Sequence, residues 1–253
     1  MLVHLKNAIF RPARRPARVH PIRSVIGLPV IFDLVSLAFQ LRDLRRVRSI
    51  RAEYGPGGKH HARVQDYNAD VTQTKLITTT RRAEVYYRAL VLPLGDPSNA
   101  RLLLVGPRNI HEFLIAWIMG FSWNKMIGID LYSTSKKITV MNMESMTFRN
   151  GSFDAVCMAN TLSYSDNTEN TISEVSRVIS PGGYFSFSAT HDPGSSWHGD
   201  LISGEKVAEI LEAHAFELIV HDHFEKTNSQ GRRQTSHTFV ARRLQTLSAA
   251  AKD

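Results

Sequence analysis

The 253-residue chain predicts an α/β fold: a seven-stranded, mostly parallel sheet with helices on both faces, preceded by a basic helical extension. Two observations carry this reading. From Arg101 onward, short apolar runs alternate with stretches of helical periodicity, which is the pattern of a sheet whose parallel strands are joined through helices. Several of the runs, such as LLLV and AVCMA, are continuously apolar, as strands covered on both faces must be.

In order, residues 1–23 are rich in Pro and Arg and read as irregular. Pro12, Pro16 and Pro21 remove helix donors and bias their predecessors to extended backbone. Residues 30–51 read as an amphipathic helix, with Val30, Leu34, Leu37, Leu41 and Leu44 recurring at spacings of three and four and Arg42, Arg45, Arg46 and Arg48 beside them. Two placements stay open: packing on the domain or a second subunit, or lying in a lipid interface with the arginines on phosphates. Tyr54 to Gly58 must interrupt any helix, and residues 59–76 read as a polar loop. Thr80 to Leu92 is a second helix.

Strands then follow at Arg101–Val105, Met126–Asp130, Ile138–Met141, Phe153–Ala159, Gly183–Ser188, Phe216–Phe224 and Ser236–Arg242. Helices are expected at His111–Met119, Thr168–Ile179 and Ser203–His214, the last with Ser203 as N-cap. The last two strands leave room for one antiparallel strand at the edge. The expected organisation is an extension over residues 1–75, a domain over 76–243 and a tail over 244–253.

Charge divides along the same lines. Residues 1–100 hold 17 Lys/Arg against 7 Asp/Glu (+10), residues 101–241 hold 11 against 15 (−4), and residues 242–253 hold 3 against 1 (+2). The basic character belongs to the extension and tail. It suits an anionic surface, or a solvated leader with no partner. The single cysteine, Cys157, excludes an internal disulfide framework and suits a reducing compartment, so a cytoplasmic location is expected, with peripheral contact at a membrane as an option. No apolar run reaches 18 residues, and no small-residue cleavage site follows the arginines of the N-terminus.

The chemistry concentrates between Arg101 and Ser188. Gly106 directly follows the first strand, where the absence of a Cβ allows a sharp turn. Asp130 ends the second strand 24 positions later, a spacing that fits a carboxylate holding an adenosine ribose. Met141-Asn142-Met143-Glu144 and Gly151-Ser152-Phe153-Asp154 follow, then Pro181-Gly182-Gly183. This ordered set resembles the class I S-adenosylmethionine-dependent methyltransferases, close to their small-molecule, type 11-like branch, over roughly residues 101–222. The resemblance implies a Rossmann-like sheet and S-adenosylmethionine as cofactor. It also implies that the Asn142 side chain meets the adenine amino group, that the Met143 backbone meets a ring nitrogen and its side chain the ring face, and that Glu144 completes the corner.

The first turn departs from the family pattern of an acid and three glycines. Its positions are Leu104, Gly106, Arg108 and Ile110, and a long Arg108 and β-branched Ile110 are not expected to copy a glycine turn. Two readings follow. In one, Arg108 pairs with the methionine carboxylate while Asn109 or Glu112 holds the ammonium. In the other, the chain is a non-catalytic relative that binds a membrane or a protein through its basic arm. Hydride transfer with a nicotinamide is disfavoured, because a pyrophosphate needs the glycine-rich turn that is missing.

Past the fourth and fifth strands lie Asn160, Tyr164, His191, Asp192 and His198. His191 is the first choice as general base and Tyr164 joins it, while Asn160 also falls within the cofactor set. Trp197, in the same loop, could stack on an acceptor or close the core. His221 and His223 share a strand face, but no third ligand is spaced for a metal, and none is assigned. The expected reaction is methyl transfer to an O or N atom of a small-molecule, sugar or lipid-linked acceptor. A nucleic-acid acceptor is disfavoured, because the basic segment lacks interleaved aromatics.

Overall fold

The computed structural model describes residues 21–46, 50–51, 59–74, 83–192, 202–227 and 231–245. Its elements run α1 (Pro21–Ile26), α2 (Pro29–Arg46), β1 (Ile50–Arg51), α3 (Lys59–Thr74), α4 (Glu84–Leu94), β2 (Leu102–Val105), α5 (His111–Ile118), β3 (Met126–Asp130), β4 (Tyr132–Ser133), β5 (Ile138–Val140), β6 (Phe153–Met158), α6 (Thr168–Val178), β7 (Ile179–His191), α7 (Gly204–Ala213), β8 (Phe216–Thr227) and β9 (Arg233–Arg243).

Seven strands form one sheet in the order β5-β3-β2-β6-β7-β9-β8, and β1 pairs separately with β4. β9 alone runs against its neighbours β7 and β8, which makes it the antiparallel strand the sequence left room for. It lies one place in from the edge.

The continuous apolar runs are explained by what covers them. Leu102 and Leu104 point into a core with Phe32, Tyr87, Leu90 and Phe113, while Leu103 and Val105 point into an opposite core with Val156, Ile172, Val175 and Phe187. Successive side chains on a strand face opposite ways, so a strand coated on both faces has no polar position. All four are buried, and truncating one such leucine to alanine typically costs 2–5 kcal/mol. Cys157 lies on the first of these faces, and burial pushes its thiol well up.

α2 packs on the domain, but not through its leucine stripe. Phe32, Ser36, Gln40 and Asp43 face inward, whereas Val30 and Leu34 are 71% and 62% exposed and Leu41 is also exposed. The inward face wins because Phe32 enters the core beside His111, and because polar partners wait for the rest. Ser36 Oγ is 3.2 Å from His111 Nδ1, and Gln40 bridges Ser36 and the Asn109 carboxamide.

The segment expected as a polar loop at 59–76 is instead the helix α3. Its apolar stripe is thin, Val64, Tyr67 and Val71 in an otherwise polar run. Buried Val64 and Gln65 hold it down, the latter donating from Nε2 to the Leu131 carbonyl at 2.6 Å.

Residues 131–137 alone join β3 to β5. Neighbouring parallel strands usually need a dozen or more residues, most often a helix. Here no helix fits, and α3 lies near the carboxyl end of β3 through Gln65 and Asn68. The expected boundary near residue 75, the Tyr54–Gly58 break, Trp197 and His198 lie outside the described residues.

Candidate cofactor site

In open α/β sheets ligands bind beyond the carboxyl ends of the strands, where strand order reverses. Here β3 lies on one side of β2 and β6 on the other. A cavity of about 380 Å³ opens at that point. Of the residues expected at the cofactor, Gly106, Arg108, Asn109, Glu112, Asp130, Asn142, Met143 and Asn160 line it, and so does Tyr164.

Gly106 turns out of β2 with φ +73°. A Cβ there would sit 2.3 Å from Thr161 Oγ1, so both the backbone angle and the close approach of the β6 loop require glycine. Arg108 corrects an expectation. It adopts φ +51°, keeping a left-handed turn at an aligned glycine position despite its side chain. That conformation costs an L-residue roughly 1–2 kcal/mol. Asn109 Oδ1 accepts from the His111 amide at 2.9 Å, closing the start of α5.

Asp130 is buried at the tip of β3. Its Oδ2 accepts from the Arg108 amide at 2.9 Å and its Oδ1 from Asn68 Nδ2 at 3.2 Å. Burial pushes its carboxyl up, and the backbone N–H groups of Arg108, Leu131 and Tyr132 pull it part of the way back.

Leu104, at the position where the family pattern places an acid, is fully buried. An acid reaches the neighbourhood from another direction. Glu112, in the first turn of α5, accepts a 2.8 Å hydrogen bond from the Tyr87 hydroxyl, and its charge is felt by Cys157, the cross-strand partner of Leu104. Burial raises its carboxyl from 4.5 to about 7, opposed by the Tyr87 hydrogen bond and by the Arg108 charge. Among the described residues the Arg108 guanidinium has no ion-pair partner within 4.0 Å, yet its charge is felt by Glu112 and Asp130.

On the far side, Asn142 Oδ1 accepts from the Glu144 amide at 2.9 Å, an Asx-type turn that presents Asn142 and Met143 to the cavity. Glu144 itself turns away. Its Oε1 accepts from Ser165 Oγ and from the amides of Asp166 and Asn167, which organises the entry to α6, and it is not among the residues that line the cavity. The loop after Asn142 is clamped by Arg177, which donates to the carbonyls of Met146 and Phe148 and pairs with Glu174 at 2.7 Å.

Asn160 has φ +55°, and its amide donates to Ser188 Oγ. His191 does not line the cavity; its neighbour Thr190 does. Strand parity explains this placement: consecutive residues of β7 face opposite sides, and His191 lies on the side of His237, whose titration it influences. Asp192 is buried against Gln234 and lies 3.7 Å from Arg232. His221 Nε2 is 3.0 Å from His237 Nδ1, and among the described residues no three such groups are placed to hold a metal ion.

The structure adds wall residues that sequence reasoning missed. Val64, Tyr67 and Asn68 come from α3, Thr161 and Ser163 from the loop after β6, and Lys226 and Gln234 from the β8–β9 hairpin. No motif flags them. Thr161 alone has a legible partner, the glycine it crowds.

Residues 122–187 match the family model for a methyltransferase domain, beginning after the divergent first turn. No curated protein matches the chain. Among solved structures, the chain is similar to a Burkholderia thailandensis 1,6-didemethyltoxoflavin-N1-methyltransferase, solved with 1,6-didemethyltoxoflavin and S-adenosylhomocysteine bound. The TM-score is 0.56 at 13% identity, covering 79% of this chain and 95% of that one. A Methanosarcina mazei S-adenosylmethionine-dependent methyltransferase aligns at TM-score 0.44 and 16% identity, over 58% and 93% of the two chains. One from Mesorhizobium loti aligns at TM-score 0.46 and 19% identity, over 61% and 96%. The fold is thus shared with the first of these structures, and the segment from residue 122 to 187 is similar to a methyltransferase domain.

Proposed function

We propose that the chain transfers a methyl group from S-adenosylmethionine to an O or N atom of a small polar acceptor bound in the cavity at the head of β2, β3 and β6. The observation that carries this is the convergence of separate chain segments on one space: Asp130, the Asn142-Met143 corner, and the opposite charges of Arg108 and Glu112. S-adenosylmethionine, when bound, supplies a methyl group on a sulfonium. Transfer is an in-line displacement, so the protein's task is to hold donor and acceptor in line.

In this reading Asp130 takes the ribose and Met143 covers the adenine face. Arg108 pairs with the methionine carboxylate and Glu112 with its ammonium, so that Glu112 stands in for the acid that Leu104 displaces. The acceptor lies toward Ser163, Tyr164, Thr190, Lys226 and Gln234, which offer hydroxyls, an amide and one cation. A cavity of about 380 Å³ is in the range of small-molecule sites. With His191 on the other face, Tyr164 is the residue placed to orient the acceptor's nucleophilic atom.

The molecule works at an anionic membrane surface in the same reading. Residues 1–51 hold 11 Lys/Arg and 2 Asp/Glu, a net +9. The helices of this segment leave Ile22, Val25, Leu28, Val30 and Leu34 more than half exposed. Apolar side chains beside a basic run are complementary to an acyl boundary under acidic headgroups.

Calorimetry with S-adenosylhomocysteine tests the core reading. Binding that weakens about ten- to a hundredfold in Arg108→Ala and in Asp130→Ala is expected, the range for losing a charged hydrogen-bond partner. No detectable heat at millimolar ligand would leave the non-catalytic reading in its place.

A further inference from the structure

Resting on the cofactor reading above, we infer that the acceptor carries an anionic group, a carboxylate or a phosphate, and that Lys226 on β8 selects it. The β8–β9 hairpin sets the geometry. Thr190 pairs with Ser236 across β7 and β9, and Lys226 pairs with Gln234 across β8 and β9. Residues directly opposite share a sheet face, as do residues two apart on one strand. Thr190, Ser236, Gln234 and Lys226 therefore stand on one face, and Thr190, Gln234 and Lys226 line the cavity.

Other polar groups at this end are engaged by the protein itself. Ser163 Oγ accepts from the Thr190 amide at 2.7 Å and donates to the Thr190 carbonyl at 3.2 Å. Gln234 Nε2 donates to buried Asp192. Lys226 differs: among the described residues its ammonium has no ion-pair partner within 4.0 Å, and it lies 5.8 Å from the centre of the Phe224 ring. The neighbouring acids face other cations, Glu225 at 3.8 Å from Arg233 and Asp192 at 3.7 Å from Arg232. Asp222 shares the face of Lys226 but stands four residues back along β8, roughly 13 Å away at the rise of a strand.

Charge balance says what that ammonium meets. Arg108, Lys226, Glu112 and Asp130 are the charged side chains lining the cavity. S-adenosylmethionine brings a carboxylate for Arg108, an ammonium for Glu112, a neutral ribose for Asp130 and a sulfonium. The loaded cavity then carries a net positive charge, and Lys226 is the cation left without a partner. A cationic acceptor is repelled there, whereas an acceptor with one anionic group completes the balance.

The test is calorimetry on the full chain saturated with S-adenosylhomocysteine, using matched probes. 4-Hydroxybenzoate against 4-hydroxybenzamide reports a carboxylate, and glycerol 3-phosphate against glycerol reports a phosphate. In the parent the anionic member of at least one pair is expected to bind about tenfold more tightly than its neutral twin. Lys226→Met, at an exposed position where folding is undisturbed, removes that advantage, and Lys226→Arg keeps it. The neutral twins respond to neither substitution.

Equal binding within both pairs would overturn the inference, as would an advantage that survives Lys226→Met, or no binding of any probe at millimolar concentration. S-adenosylhomocysteine affinity is measured first. Failure of the parent to bind it removes the cofactor reading. A loss in Lys226→Met alone moves Lys226 to the cofactor and overturns this inference, while equal affinity leaves the cofactor reading standing whatever the acceptor probes show.

Discussion

Glu112 shows how a side chain inherits its chemistry from its surroundings. Its carboxyl is raised from 4.5 to about 7 because burial penalises the charge more than Tyr87 and Arg108 repay it. An acid whose folded value is raised stabilises the fold most below 4.5, and that contribution is lost as pH climbs to about 7. Ligand binding runs the other way, since an ammonium needs the ionised form. Between pH 6 and 8 the ionised fraction grows about tenfold, so S-adenosylhomocysteine affinity is expected to rise about tenfold over that range. In Glu112→Gln the calorimetric pH profile should flatten; a profile identical to the parent's would show that Glu112 does not meet the ammonium.

The residues legible in advance were those whose role is written into a turn or a strand end. Gly106, Asp130, Asn142 and Met143 stand at such ends and do line the cavity. Glu144 and His191 stand near such ends too and do not. For Glu144 a local cluster of amides outbid the cavity; for His191 a one-residue difference in strand parity sent it to the other face. Neither effect leaves a trace in spacing alone.

Among elements, the loop that follows Asn142 is held by one side chain on α6. Arg177 donates to two carbonyls of that loop and pairs with Glu174, whose Oε2 in turn accepts from the Met146 amide at 2.6 Å. Arg177→Ala is expected to cost about 2 kcal/mol in chemical denaturation, the scale of losing charged hydrogen bonds that are partly buried. It should also weaken S-adenosylhomocysteine binding, because the Asn142-Met143 corner loses its far support. An unchanged denaturation midpoint would mean that the loop is self-supporting. Strands and most helices were readable because a covered sheet demands unbroken apolar runs. α3 was not, because its stripe of Val64, Tyr67 and Val71 is thin in a polar run and the polar Gln65 and Asn68 complete its attachment. α2 was readable as a helix but not in its rotation, since an aromatic with polar companions outcompeted leucines for the domain.

For the molecule as a whole, the charge division and the exposed stripe of α2 bear on where it works. Val30→Glu with Leu34→Glu places acids at positions 71% and 62% exposed in the parent, so folding should be undisturbed. Pelleting with vesicles containing a third phosphatidylserine is expected to fall several-fold in this double variant, and to fall with added salt in the parent. Equal pelleting of parent and variant would remove the membrane surface from the reading. The side of α2 that meets the domain was not visible in composition, because contacts between distant residues decided it.

The solitary thiol at position 157 is sealed beneath the sheet, beside the Tyr87 hydroxyl. The described surface is therefore blank to maleimide reagents. A cysteine installed at Leu34 would give a single addressable handle, and an environment-sensitive dye attached there would report lipid contact from one known point on the molecule.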